Sequence, residues 1–296
     1  MKRTASCPFY CVRVRFVWFF SAIITQTTQE TSILSKLRIL TIGDVVGPCA
    51  VDVLSKHLFS LRNTLRADFV IANGENAAPG NGIDIQSAKA LLFAGVDVIT
   101  TGNHIWQKRD IRDFLCTNEQ ILRPANYPAA CPGSGYTVFS VMGYRFLVIN
   151  VLGTVYMDAL ENPFSAVDRI LQHEAGRYDF VCVDFHAEAT SEKRAMGFYL
   201  DGRVNIVFGT HTHVPTADLQ ILPLGTGYIT DLGMTGPRDS ILGVRSDIII
   251  EKLITKMPVR FELADTPITL NAAVFTLDTD AKKIIGTEQI IKPFDN

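Results

Sequence analysis

Apolar positions along this chain follow two alternating rhythms, one continuous and one with a spacing of three to four residues. LRILTIG (37–43), DFVIAN (68–73), VDVIT (96–100), YDFVCVDF (178–185) and VNIVFG (204–209) are short, almost uninterrupted apolar runs. Runs of that length, each closed by glycine or a polar residue, read as strands buried on both faces. VDVLSKHLFSLRNTL (51–65) differs. Its Val51, Leu54, Leu58, Leu61 and Leu65 recur at helical spacing, and SAKALLFAG (87–95) reads as a second helix stopped by Gly95. YTVFSV (136–141) and YRFLVIN (144–150) flank Met142-Gly143, the signature of a hairpin. Thr190 to Lys193 reads as a helix start with Glu192 in its first turn. Towards the C-terminus, VRFEL, ITLNAAVFTL and KIIGTEQII predict strands. Strands alternating with helices in this way predict an α/β protein with buried sheets. Nothing linker-like interrupts residues 37–296, which are expected to form a single domain.

Composition narrows the class. The chain has 296 residues, 47% of them apolar, a fraction that excludes intrinsic disorder. With 28 basic and 30 acidic side chains it has no basic field, so stable nucleic-acid binding is not expected. Residues 1–36 stand apart, with five basic side chains, a single acid (Glu30) and a short apolar stretch from Phe16 to Ile24. That stretch is too short to span a bilayer, and no small-residue cleavage site follows it. We read residues 1–36 as an extension, either disordered or arising from a start codon assigned too far upstream. The six cysteines (Cys7, Cys11, Cys49, Cys116, Cys131, Cys182) are scattered without a CxxC pair, which fits a reducing cytoplasm better than a disulfide framework. Cys182 is expected to be a small apolar residue within a strand.

The chemistry lies in what ends each strand. The first five long runs lead into Gly43-Asp44, Asn73-Gly74-Glu75-Asn76, Gly102-Asn103-His104, Asp184-Phe185-His186 and Gly209-Thr210-His211-Thr212-His213. Carboxyl ends of strands line the ligand crevice of open α/β sheets. Asp, Glu, Asn and His together are ligands for divalent transition metals. Any one of them alone is more often a cap, a turn residue or a satisfied polar group. His57 and His173, inside helical segments, keep that plain reading. His211 and His213 carry more weight, because residues i and i+2 of an extended segment point to one side. GENAAPGNG (74–82) lacks the Lys-Ser/Thr of a P-loop, and neither Ser191 nor Ser240 sits in G-x-S-x-G.

In their order and wording, IGDVVG, GENAA, TGNHIW, RPANYP, DFHAEATSEK, GTHTHVPTAD, YITDLGMTG and Asp239-Ser240-Ile241 with Gly243 resemble the YmdB-type subfamily of calcineurin-like metallophosphoesterases. The resemblance covers residues 38–292. Two positions depart from the wider superfamily as that subfamily does. Val46 stands where a histidine ligand usually follows the first strand, and Ile105 stands where an acid usually follows Gly-Asn-His. The resemblance implies a four-layer α/β/β/α sandwich, two packed mixed sheets flanked by helices.

It also implies two iron or manganese ions per chain. Glu75 would bridge them, with Asp44, Asn76 and His213 on the first and Asn103, His186 and His211 on the second. His104 would be the general acid. The implied activity is a phosphodiesterase that opens 2′,3′-cyclic nucleotides to 3′-nucleotides by attack of a hydroxide held between the metals, with 3′,5′-cyclic AMP as a lesser substrate. Arg123, Lys193 and Arg194 are candidates for holding the small phosphodiester. The alternatives are a phosphomonoesterase on the same core, or a regulatory or RNA-associated metalloprotein with little turnover. A homo-oligomer is implied as well, with no membrane partner.

Overall fold

The computed structural model describes residues 36–294, so the expectations for residues 1–35 lie outside the described residues. Thirteen strands, β1 to β13, and six helices, α1 to α6, occur in the described part. The first half runs β1 (Lys36–Ile42), β2 (Asp44–Val45), α1 (Gly47–Leu65), β3 (Phe69–Asn73), α2 (Ile85–Ala94), β4 (Val98–Thr100) and α3 (Ile111–Thr117). The second half runs β5 (Tyr136–Val141), β6 (Tyr144–Leu152), α4 (Pro163–His173), β7 (Phe180–His186), α5 (Thr190–Leu200) and β8 (Ile206–Thr210). Short strands β9 (Gln220–Ile221), β10 (Gly227–Ile229) and β11 (Met234–Pro237) then lead to α6 (Ser246–Thr255), β12 (Ile268–Asp278) and β13 (Lys283–Phe294).

Two mixed sheets result. The first has the order β2-β11-β12-β1-β3-β4, with β13 also paired to β12; the second has the order β5-β6-β7-β8-β10-β9. Strands β1, β3 and β4 are mutually parallel, as are β6, β7, β8 and β10. The period-two alternation of each strand divides its side chains between two layers. Ile39, Phe69, Ile71, Phe146, Phe180, Cys182, Ile206, Phe208 and Phe275 meet in a core between the sheets. The alternate residues Leu40, Val70, Ala72 and Val274 pack outwards against α1, α2 and α3. On the far side Leu147, Ile149, Val181, Val183 and Val207 pack against α4 and α5. Three apolar layers between helix, sheet, sheet and helix make the four-layer sandwich.

Local chemistry explains the element boundaries. Pro48 sits in the first turn of α1, where its missing N–H is not needed, and α1 therefore starts four residues before the apolar repeat does. The Asp84 carboxylate accepts from the Ser87 N–H to cap α2, and Gly95 at φ 110° ends it. The Met142-Gly143 turn carries positive φ at both residues (49° and 87°), as a tight hairpin requires. Strands β7 and β8 run on to His186 and Thr210, past the ends their apolar runs suggest, because the added residues find partners across the inter-sheet layer. VRFEL is not a strand. Its Leu263 makes only an isolated bridge to Val244. Among the described residues no helix is long and apolar enough to cross a membrane.

Replacing Phe146, which is fully buried between the sheets, with alanine is expected to cost about 3–5 kcal/mol. Phe93→Ala, at a position 96% exposed, should shift stability by less than about 0.5 kcal/mol. Chemical denaturation of the two variants side by side checks the layer assignment.

Candidate metal centre

The same alternation that builds the inter-sheet core also builds the floor of the site. In β3, β4, β7 and β8 the inward positions read Phe69-Ile71-Asn73, Val98-Thr100, Phe180-Cys182-Asp184-His186 and Ile206-Phe208-Thr210. Each series begins apolar and ends polar at the carboxyl end of its strand. Those polar ends meet. The Asp184 carboxylate accepts from Thr210 Oγ1 at 2.7 Å, Asn73 Nδ2 at 3.0 Å and Thr100 Oγ1. Thr210 Oγ1 lies 2.9 Å from His186 Nδ1. Because the Thr210 hydroxyl donates to Asp184, it accepts from the His186 ring, so Nδ1 carries a proton and Nε2 turns towards the site. Sequence reading noted Asp184 only as a polar strand end and gave Thr210 and Asn73 no role; the parity of the strand positions was the available signal.

Around this floor stand the residues the strand ends deliver. His186 Nε2 lies 3.2 Å from Glu75 Oε2, 3.1 Å from Asn103 Oδ1 and 3.1 Å from His211 Nδ1. A second group forms on the other side of Glu75. His213 Nε2 is 3.2 Å from Asn76 Nδ2 and 3.9 Å from Asp44 Oδ1, and Asn76 Nδ2 is 3.0 Å from Glu75 Oε1. Ligand atoms of Glu75, His186 and His211 lie within 4.8 Å of one another, and so do those of Asp44, Glu75 and His213. Glu75 is common to both triads. His104 Nδ1 faces Asn76 Oδ1 at 2.9 Å and Glu75 Oε1 at 3.2 Å, and its side chain is 27% exposed. His211 Nε2 also meets Glu188 at 3.0 Å, a neighbour that the sequence reading did not single out.

One local expectation fails. His211 and His213 are not in an extended segment; their φ angles are 102° and 63°, in the left-handed half of backbone space. The two rings therefore reach different triads instead of sharing one side. The turn is held from below, where Asp231 accepts from Thr212 N at 3.1 Å and from Gly233 N at 2.8 Å, and Asp44 accepts from His211 N at 3.0 Å. Gly102 supplies a further condition. A Cβ there would stand 2.2 Å from both Glu75 Oε2 and His186 Nε2, so only glycine lets the two groups close on each other.

The electrostatics follow from burial of acids. Burial opposes ionisation of Glu75, yet the neighbouring His186 and His104 hold its carboxyl well below the usual range. Burial likewise works against a charged His186, and Glu75, followed by Asp44 and Asp184, overrides it and lifts the ring to about 9. Burial and the adjacent His186 push His211 down to about 3. Burial raises Asp44 and lifts Asp184 to about 6. Asp44 Oδ1 is buried without a hydrogen-bond partner. A buried carboxylate oxygen is not left unpaired without reason. Two carboxylates, amide groups and three imidazoles, gathered in two triads that share Glu75 and with no thiolate, are a donor set that fits a pair of divalent cations.

Of the three basic candidates, Lys193 is corrected. It is 1% exposed, with Nζ donating to Thr210 O at 2.7 Å and to Asp231, so it braces the histidine turn and has no free surface for a substrate. Arg194 faces Asp218 at 3.6 Å and stacks over the Phe198 and Tyr228 rings. Arg123 is buried beside a separate cavity.

The profile of the YmdB-like protein family matches residues 40–290. The 2′,3′-cyclic-nucleotide 2′-phosphodiesterase of Bacillus subtilis (strain 168) is 45% identical over 255 residues, 86% of this chain and 97% of that protein. A crystal structure of a hypothetical protein from Thermus thermophilus is 40% identical, with a TM-score of 0.81 over 87% of this chain and 99% of that one. A structure described as a novel phosphatase from Mycoplasma pneumoniae is 34% identical, with a TM-score of 0.83 over 88% and 95%.

Removing one partner of a buried ion pair costs about 3–5 kcal/mol, so Lys193→Met is expected to lower stability by that amount in a denaturant titration. A stable Lys193→Met variant with a weakened substrate KM would instead return Lys193 to the substrate.

Proposed function

The chain belongs to the YmdB-like protein family, and on that footing we propose that it is a two-metal phosphodiesterase that opens 2′,3′-cyclic nucleotides to 3′-nucleotides, with 3′,5′-cyclic AMP as a lesser substrate. The observation that carries the reading is the sharing of Glu75 between two ligand triads, beside the unpartnered Asp44 Oδ1. Similarity to the Bacillus subtilis phosphodiesterase over nearly its whole length supports the choice of substrate class.

In this proposal Asp44, Asn76 and His213 hold one metal, Asn103, His186 and His211 hold the other, and Glu75 bridges them. Oxygen and imidazole ligands without thiolate favour iron or manganese. Bound there, the metal pair would neutralise charge on the phosphate and make a nucleophile available at neutral pH. The chain's own residues do the rest. Thr210 and Asp184 hold the His186 ring in one tautomer. Asn76 Oδ1 and Glu75 Oε1 accept from His104 Nδ1, which leaves Nε2 on the open side to protonate the 2′-oxygen as its bond to phosphorus breaks. Cys49, Cys116, Cys131 and Cys182 are all free thiols, which fits action in the cytoplasm. Exposed Ile250, Leu253 and Ile254 on α6 support assembly as a homo-oligomer.

Hydrolysis of 2′,3′-cyclic AMP by protein reconstituted with iron or manganese, with 3′-AMP separated from 2′-AMP, tests the proposal. 3′-AMP is the expected product, and Asp44→Ala should abolish it. His104→Ala should lower kcat by about 10²–10⁴-fold with metal content unchanged. Full activity in His104→Ala would remove its role as proton donor. Turnover of a phosphomonoester alone would favour the phosphomonoesterase reading.

A further inference from the structure

Arg123 is the one basic candidate that neither the sheets nor the metal centre explain. It is only 6% exposed. Among the described residues, its guanidinium donates from Nη1 to the Pro124 carbonyl at 2.8 Å, its Nε has no partner, and no carboxylate pairs with it. Burial, with the nearby charge of Arg169, holds it below the ordinary arginine value. A guanidinium taken out of water without a counter-charge is costly, and structures normally pair it.

The group borders a cavity of about 670 Å³ lined by Asn126, Tyr127, Ser134, Tyr136 and Arg169 as well. That volume suits a small-molecule ligand, for which about 300–1,000 Å³ is usual. Charges in its wall leave Arg123 uncompensated. Glu161 is taken by Arg169 at 2.9 Å, and nearby Glu174 accepts from Tyr136 and faces Arg177 at 3.7 Å. The cavity lies at the same strand-end edge as the metal centre. Asn126 Nδ2 donates to Leu152 O at 2.8 Å, and Leu152 is the register partner of His186. Tyr127 stands edge-on to Trp106, ring centroids 5.5 Å apart, two residues after His104.

We propose that this cavity is an anion site that takes the phosphate of a phosphorylated small molecule, with Arg123 as its principal counter-charge and Arg169 at its mouth. Arginine suits the task because its planar donors match phosphate oxygens in pairs. The site stands on the unpaired guanidinium and does not depend on the metal assignment. Its phosphate has two sources: a free phosphorylated ligand, or the flanking phosphate of a longer substrate whose reacting end lies at the metal centre.

Inorganic phosphate titrated into the full-length chain, freed of metal by chelation and followed by calorimetry and thermal melting, tests the proposal. Saturable binding at one site per chain is expected, weakened at least ten-fold by Arg123→Met and several-fold by the half-exposed Arg169→Ala. Without phosphate, Arg123→Met should melt at or above the wild-type temperature, since it removes an uncompensated charge, and it should lose the phosphate-dependent rise. Absence of phosphate binding in the folded wild type, or binding unchanged in both variants, overturns the site. Should Arg123→Met fail to fold, Arg169→Ala alone decides. A KM increase in Arg123→Met confined to a dinucleotide ending in a 2′,3′-cyclic phosphate, with that of 2′,3′-cyclic AMP unchanged, assigns the phosphate to a longer substrate. Unchanged KM for both assigns it to a separate ligand.

Discussion

Three carboxylates buried at one end of the inter-sheet layer set the terms for the rest of this molecule. Asp44, Glu75 and Asp184 are each at most 1% exposed, and an ionised acid in such a place demands donors or cations around it. Asp184 is met by hydroxyl and amide donors alone. Glu75 draws in His186 and His104. Asp44 accepts the His211 N–H through one oxygen and keeps the other open. The imidazole protons that balance these acids stand where the proposed metals would bring the same charge. The arrangement is thus electrostatically ready for cations.

The fold delivers these groups by a simple rule. Sheets buried on both faces need apolar residues at every position, so a polar residue inside one of their strands must face other polar residues. Polar inward positions gather at the carboxyl ends of β3, β4, β7 and β8, joined by Asn150 of β6, whose Oδ1 accepts from Thr101 N at 3.0 Å. There the two sheets contribute to one network, with Asn73 and Thr100 from the first and Asp184, His186 and Thr210 from the second. A site assembled across two sheets holds only as firmly as their packing, which ties the site to phenylalanines such as Phe69 and Phe146 well beneath it.

Loops complete the site and are braced individually. The turn bearing His211 and His213 adopts left-handed backbone conformations that β-sheet geometry alone would not hold, and the buried Lys193–Asp231 pair lies directly under it. Buried Glu192 accepts from Thr154 N at 3.0 Å and from Val155 N at 3.3 Å, which ties the loop after β6 to α5. Acid and base at the start of α5 thus serve two neighbouring loops. In the sequence Glu192 reads only as a first-turn helix residue and Lys193 as a candidate for holding the substrate, because Lys and Glu on a helix are usually solvated.

Much of this was legible in the chain before any coordinates. Uninterrupted apolar runs fixed the strands as doubly buried, because period-two alternation with one wet face would have left polar residues inside them. The five polar strand ends named every side chain of both triads, since carboxyl ends of strands gather in such folds whatever the connections between them. Other features were decided by the tertiary structure. VRFEL has the composition of a strand and found no edge to join. His211 and His213 converge on the site through a turn that no local preference predicts. Lys193 and Arg123 are both buried basic residues, and only their partners separate a brace from an unpaired charge. Local pattern records which faces are buried, whereas the identity of the group across a buried face depends on residues distant in the chain, 38 positions away for Lys193 and Asp231 and 111 for Asn73 and Asp184.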